Sequence, residues 1–127
     1  MLSAEAAPAA TIADRYQHVR STTASLVASL QPEDTVVQSM PDVSPTKWHL
    51  AHVSWFFERF VLEPHLENYS RYDEQFHYLF NSYYYTAGQM HARPRRGLLT
   101  RPTVAHILEY RRHVDEALLL CFDSHKK

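Results

Sequence analysis

Between Pro45 and Pro64 the chain contains neither proline nor glycine, and it is dense in tryptophan and phenylalanine. Ser44 is a residue type favoured at a helix N-cap. Pro45 falls at the first helical position, where a missing N–H costs nothing. The spacing therefore predicts a helix over about residues 45–62, stopped by Pro64. On that helix Trp48 lies four residues before His52, with Trp55, Phe56 and Arg59 three, four and seven residues after it. These spacings place His52 in the middle of one aromatic-bordered face. An imidazole in such a wall needs a partner for each ring nitrogen: a buried polar group, a water or a metal. His49, one turn earlier, could form an i,i+3 chelating pair with it. A core histidine with satisfied nitrogens is the plainer alternative.

The rest of the chain reads as further helix. Only Gly88 and Gly97 are glycines, which disfavours phosphate-cradling loops and tight hairpins. Residues 1–10 are expected to be a disordered tail, with one domain over 11–127. Thr11 and Asp14 form a capping-box pattern. Ile12, Tyr16, Val19, Thr23, Leu26, Val27 and Leu30 then recur at helical spacing, and Pro32 ends the run. His18 falls off that stripe. Residues 31–43 are expected to be loop or a single turn. The aromatic run Phe76–Tyr85 lacks strict alternation and has no partner strand, so it reads as a short helix or an ordered loop. A last helix starts after Thr100 or Thr103, with Val104, Ile107, Leu108, Arg111, Val114, Leu118, Cys121 and Phe122 inward. Such stripes are commonly enclosed by four helices. Only three long ones are legible, so a fourth is expected to be missing.

Charge and cysteine content narrow the function. A net charge of −1 argues against binding nucleic acid through bulk charge. Cys121 is the only cysteine, so no internal disulfide is possible and a reducing, cytoplasmic setting is expected. No signal peptide or membrane span is recognisable. Arg93, Arg95, Arg96 and Arg101 cluster on a loop. There they either clamp a carboxylate with forked hydrogen bonds or form a solvated basic stretch.

Several motifs then point to one family. Gln38-Ser39-Met40-Pro41-Asp42 followed by Ser44-Pro45 and Lys47-Trp48-His49-Leu50-Ala51-His52 resembles the N-terminal domain of the sulfoxide synthases of ergothioneine biosynthesis (EgtB-type). Leu79–Tyr84, Arg96–Thr103 and Tyr110–Asp115 resemble the same family in the same order, so the likeness spans about residues 10–122. It implies an all-α fold, a DinB-like up-and-down helical bundle, here lacking its fourth helix. It also implies a non-haem Fe(II) site held by three histidines, and a reaction that joins the imidazole C2 of hercynine to a thiol with O2. The thiol would be γ-glutamylcysteine or cysteine, or a selenosugar in a selenoneine-forming variant. The family's first iron ligand falls on His52. Arg93 and Arg96 match the i,i+3 pair that holds the thiol substrate's carboxylate in some members, although Arg95 or Arg101 could serve instead.

The family's other two ligands come from a His-x-x-x-His motif. No two of the 9 histidines here are four apart, so the iron site is expected to be incomplete. One imidazole is too little to hold Fe(II). The enzymatic expectation is thus a truncated, inactive synthase bundle. The rival is a metal-free helical interaction module that dimerises through its uncovered face. A thiol transferase of the wider DinB-like group fails the same ligand test.

Overall fold

The computed structural model describes residues 11–82 and 91–124. Helix α1 spans Ile12–Val27 and α2 spans Thr46–Phe57. The latter continues through a π-helical segment, Glu58–Leu62, into a last turn, α3, at Glu63–His65. Helix α4 is the single turn Phe76–Leu79, and α5 spans Val104–Ser124. Short 3₁₀ segments lie at Pro32–Val36 and Arg93–Leu98. Among the described residues no strand forms; one isolated bridge pairs Met40 with Val43. The expected tail at 1–10, Tyr83–Tyr85 and Gly88 lie outside the described residues.

Helix α5 is the shared partner. It packs on α2 and the π segment, and α1 lies along it. Helices α1 and α5 run antiparallel: Tyr16 contacts Asp115 and Phe122, while Val27 and Leu108 flank one groove at the other end. The core comprises Trp48, Leu50, Trp55, Leu62, Phe76, Phe80, Ile107, Tyr110, Val114 and Leu118, all nearly solvent-free.

Helix α1 starts at the Thr11–Asp14 capping box, with both reciprocal bonds formed. Its expected apolar stripe, however, is split. Tyr16 and Arg20 are buried, whereas Ile12, Val19 and Leu26 are 61%, 60% and 75% exposed. The helix docks through polar bonds, which rotate that part of the stripe outward. The Arg20 Nε donates to Asp115 Oδ1 at 2.7 Å and its Nη2 to Ser54 Oγ at 2.8 Å; Tyr16 donates to the same carboxylate oxygen at 2.5 Å. Ile12, Val19, Val53 and Phe57 then border an open groove of about 310 Å³.

Two expectations about the central helix also change. Ser44 does not cap it; Pro45 is the N-cap, and Ser44 Oγ is used elsewhere. Nor does Pro64 end it. Proline has no N–H for residue 60 and would collide with that carbonyl in a regular α-helix. In the π segment the Glu63 N–H bonds to Glu58 O, five residues back. This wider register relieves the clash and lets the helix run on to His65.

The π segment also turns Glu58 into the core, where it is 0% exposed. Its Oε2 accepts from the Tyr69 hydroxyl and, at 3.0 Å, from the Tyr72 N–H; its Oε1 accepts from Tyr110 at 2.7 Å. Burial pushes the carboxyl pKa up, but His77 and these donors outweigh it and hold the pKa below the usual range. A depressed carboxylate stabilises the fold above its unfolded pKa, and that stability is lost as pH falls through the folded value. The window here therefore lies below pH 4.5. In Glu58→Gln, urea unfolding at neutral pH should show a loss of about 1.5–3 kcal/mol. The same variant should show a shallower decline in stability below the ordinary carboxylate pKa. An unchanged acid slope would remove Glu58 from this role.

Candidate active site cleft

The first turns of α2 and the loop before them form one wall of a cleft of about 430 Å³. The opposite wall comes from Ser82 and the Arg93–Leu98 segment. Helical spacing brings Trp48 and Trp55 to the two sides of His52. Trp48 stacks on the imidazole at 4.6 Å and 12°, and Trp55 at 5.7 Å and 20°. Each indole is tied down. Trp48 Nε1–H donates to Leu79 O at 2.8 Å, and Trp55 Nε1–H donates to His77 Nδ1 at 3.2 Å.

His52 Nδ1 lies 2.6 Å from the Phe80 carbonyl oxygen. A carbonyl can only accept, so Nδ1 carries the proton, and in the neutral ring Nε2 keeps its lone pair. A metal-ligating histidine is oriented in this way when a backbone carbonyl takes its other N–H. Burial lowers the His52 pKa; the Phe80 bond opposes this, while Arg96 and His49 add to it. The net effect favours the neutral ring. His49 is exposed at the cleft, its pKa lowered by partial burial and by Arg96 against a backbone bond to Ser44.

The structure brings His52, Arg93 and Arg96 to the same cleft. Arg95 and Arg101 do not line it, and both are exposed. Arg96 is 2% exposed. Its Nη1 donates to Ser44 Oγ at 2.9 Å, its Nη2 to Asn81 O at 3.1 Å, and its guanidinium sits 3.7 Å from the Trp48 ring centroid. Burial and the neighbouring Arg93 lower its pKa to about 10. Arg93 is partly exposed, and its carbonyl accepts from Gln38 Nε2 at 2.7 Å.

Several of these contributors were not legible beforehand. Gln38 grips the arginine segment with both ends of its amide, since its Oε1 also accepts from the Gly97 N–H. Asn81 and Phe80 act through main-chain oxygens, which no side-chain pattern reveals. Their only trace was that Gln38, Ser44, Phe80 and Asn81 fall inside the motifs noted above.

The remaining described histidines lie elsewhere. His77 is beside Glu58 and Glu63, at 3.5 and 3.3 Å, and His106 and His113 pack on Tyr72. His125 is outside the described residues. Among the described residues no group of three or more His, Cys, Asp or Glu side chains is arranged to hold a metal ion. His52 keeps a lone pair on Nε2, and the described residues form no such group around it.

Long packed helices and a histidine cleft built on the second of them define a helical-bundle domain. The model of the DinB superfamily matches residues 15–127, and the chain belongs to that superfamily. No curated protein matches it. Among the described residues, no helix is long and apolar enough to cross a membrane.

Gly97 tests how tightly the cleft is closed. A Cβ added there would stand 2.7 Å from both Cβ and Oε1 of Gln38. The Cβ belongs to the root of that side chain and cannot swing aside. Gly97→Ala should cost about 1–3 kcal/mol in denaturant unfolding through this overpacking. Gln38→Gly in the same background, which removes that Cβ, should recover part of that loss. A neutral Gly97→Ala would mean that Gln38 does not clamp the segment.

Proposed function

We propose that this domain is the N-terminal bundle of a non-haem Fe(II) sulfoxide synthase. The complete enzyme would join the imidazole C2 of hercynine to the sulfur of γ-glutamylcysteine or cysteine with O2. The observation that carries this proposal is the His52 ring, whose Nδ1–H is committed to the Phe80 carbonyl, in a cleft that also holds Arg93 and Arg96. The sequence motifs at 38–52, 79–84 and 96–103 and the membership of the DinB superfamily support the same reading.

The chain's own residues have defined parts in it. His52 offers one neutral nitrogen donor. Trp48 and Trp55 sheathe that ring and limit water around it. Arg93 and Arg96 make the cleft cationic, which suits the carboxylate and thiolate of the second substrate. Iron, when bound, would supply the O2 chemistry. The described residues do not fit it alone, so its other ligands would have to come from elsewhere.

The test is to express the longest reading frame containing this sequence and load it with Fe(II) under anaerobic conditions. Hercynine, γ-glutamylcysteine or cysteine, and O2 are then supplied. Mass spectrometry should detect the C2–S sulfoxide. His52→Ala should lower its rate by at least about 100-fold, more than the loss of an outer-shell partner costs. Absence of any C–S product from the intact frame, or full activity in His52→Ala, would refute the proposal.

The exposed side of α1 favours a second reading, an interaction module that pairs with another copy of itself. Ile12, Val19 and Leu26 present an apolar row at seven-residue spacing. That reading predicts a dimer by analytical ultracentrifugation which Val19→Asp converts to monomer. A monomer at all accessible concentrations would exclude it.

A further inference from the structure

We propose that the apolar pocket between the end of α1 and the start of α5, with Arg111 on its wall, binds a small monocarboxylate that carries an apolar body. The carboxylate sits on the Arg111 guanidinium and the body lies along the apolar lining. The pocket is separate from the histidine cleft, since no residue lines both. The proposal does not depend on the sulfoxide-synthase reading.

The pocket has a volume of about 320 Å³, at the small end of the range for small-molecule sites. Val27 and Leu30 wall it on one side, Val104 and Leu108 on the other, and Leu50 of α2 between them. Only two of its lining side chains are polar, Thr35 and Arg111. Thr35 is committed, because its hydroxyl donates to Pro32 O at 2.7 Å. Arg111 is therefore the polar group placed to orient a ligand.

Arg111 interrupts the apolar face of α5. Ile107, Val114 and Leu118 beside it are fully buried, and Arg111 itself is 7% exposed. Its Nη1 donates to Leu50 O at 2.8 Å, a main-chain partner that carries no charge. Among the described residues no carboxylate lies within ion-pair distance of it. Asp115 acts on it from further off, but that carboxylate already accepts from Arg20 and Tyr16. Two guanidiniums thus share one acid, and one buried positive charge has no counter-ion of its own. Burial first, and then Arg20, lower the Arg111 pKa to about 10, so the group is still charged at neutral pH.

Buried charges are normally paired, and an anion entering the pocket supplies the missing partner. The lining decides which anion. A single carboxylate meets a guanidinium edge to edge and leaves no further charge. A phosphate would set additional charged oxygens against the leucine and valine walls, which cannot solvate them. Leu30 and Leu108 at the border are 38% and 46% exposed, and an apolar body between them would remove that surface from water.

The test titrates octanoate into the full chain, labelled with ¹³C on leucine and valine methyls, at neutral pH. Val27, Leu50, Val104 and Leu108 should shift together and saturate at a single octanoate per chain, with a Kd below about 1 mM. Val43 in the histidine cleft and Val53 in the groove beside α1 should not move. 1-Octanol keeps the body without the charge, and acetate keeps the charge without the body. Each should bind at least about tenfold more weakly.

Arg111→Met should abolish the preference for octanoate over 1-octanol. Should that variant fail to fold, Leu108→Glu carries the test, because it sets a like charge at an exposed border position. It should weaken octanoate at least about tenfold and 1-octanol much less. Equal affinity of the wild type for octanoate and 1-octanol would overturn the proposal. So would octanoate binding that Leu108→Glu leaves unchanged, shifts centred on Val43 or Val53, or no saturable shift at all.

Discussion

A buried carboxylate is the constraint on which this bundle is arranged. Glu58 sits inside the protein, among the described residues no lysine or arginine is bonded to it, and it is held by the Tyr69 and Tyr110 hydroxyls and the Tyr72 N–H. An ionised carboxylate without these donors would cost several kcal/mol, so the residues supplying them have little freedom to move. Tyr110 fixes α5 to the end of α2, and Tyr69 and Tyr72 fix the connection that leads to α4. The π segment is what brings Glu58 to that point, and it also carries the helix past Pro64. Local backbone geometry, a buried charge and the packing of α5 are therefore one arrangement.

The cleft is built on the same frame. His77 approaches Glu58 and Glu63 on one side and accepts from the Trp55 indole on the other. Trp55 stacks on His52, and Trp48 stacks on it too, beneath the Arg96 guanidinium. A row of rings thus runs from the buried acid to the cationic edge of the cleft. Position along it decides chemistry: His77 is set against carboxylates, whereas His52 lies near Arg96, and burial and that charge lower its pKa. The two histidines share a tryptophan neighbour and have opposite electrostatic surroundings.

Much of this could be read from residues alone, for identifiable reasons. The start of α1 and the extent of α5 follow from a capping box and a long apolar period, both local signals, whereas α1 stops at Val27, short of the expected Leu30. The aromatic setting of His52 follows from i−4 and i+3 spacing on one uninterrupted helix. What was illegible depends on tertiary partners. The Ile12, Val19 and Leu26 row looked like core, but the Arg20–Asp115 bond sets the helix rotation, and it involves residues far apart in sequence. Tyr110 was absent from the expected inner face because its burial depends on Glu58. Ser44 looked like a cap, and only the folded loop shows it serving Arg96. The Phe80 carbonyl, which sets the His52 tautomer, has no signature in side-chain sequence.

The most direct measurement is Fe(II) retention. The present chain and the longest reading frame containing it would each be loaded anaerobically, passed over a desalting column and analysed for metal, with and without His52→Ala. If His52 is one ligand of a site completed from elsewhere, the chain alone retains almost no iron. The longer protein then retains about one per protomer, and His52→Ala empties it. Stoichiometric iron on the present chain, or an iron content in the longer protein that His52→Ala leaves unchanged, would contradict this.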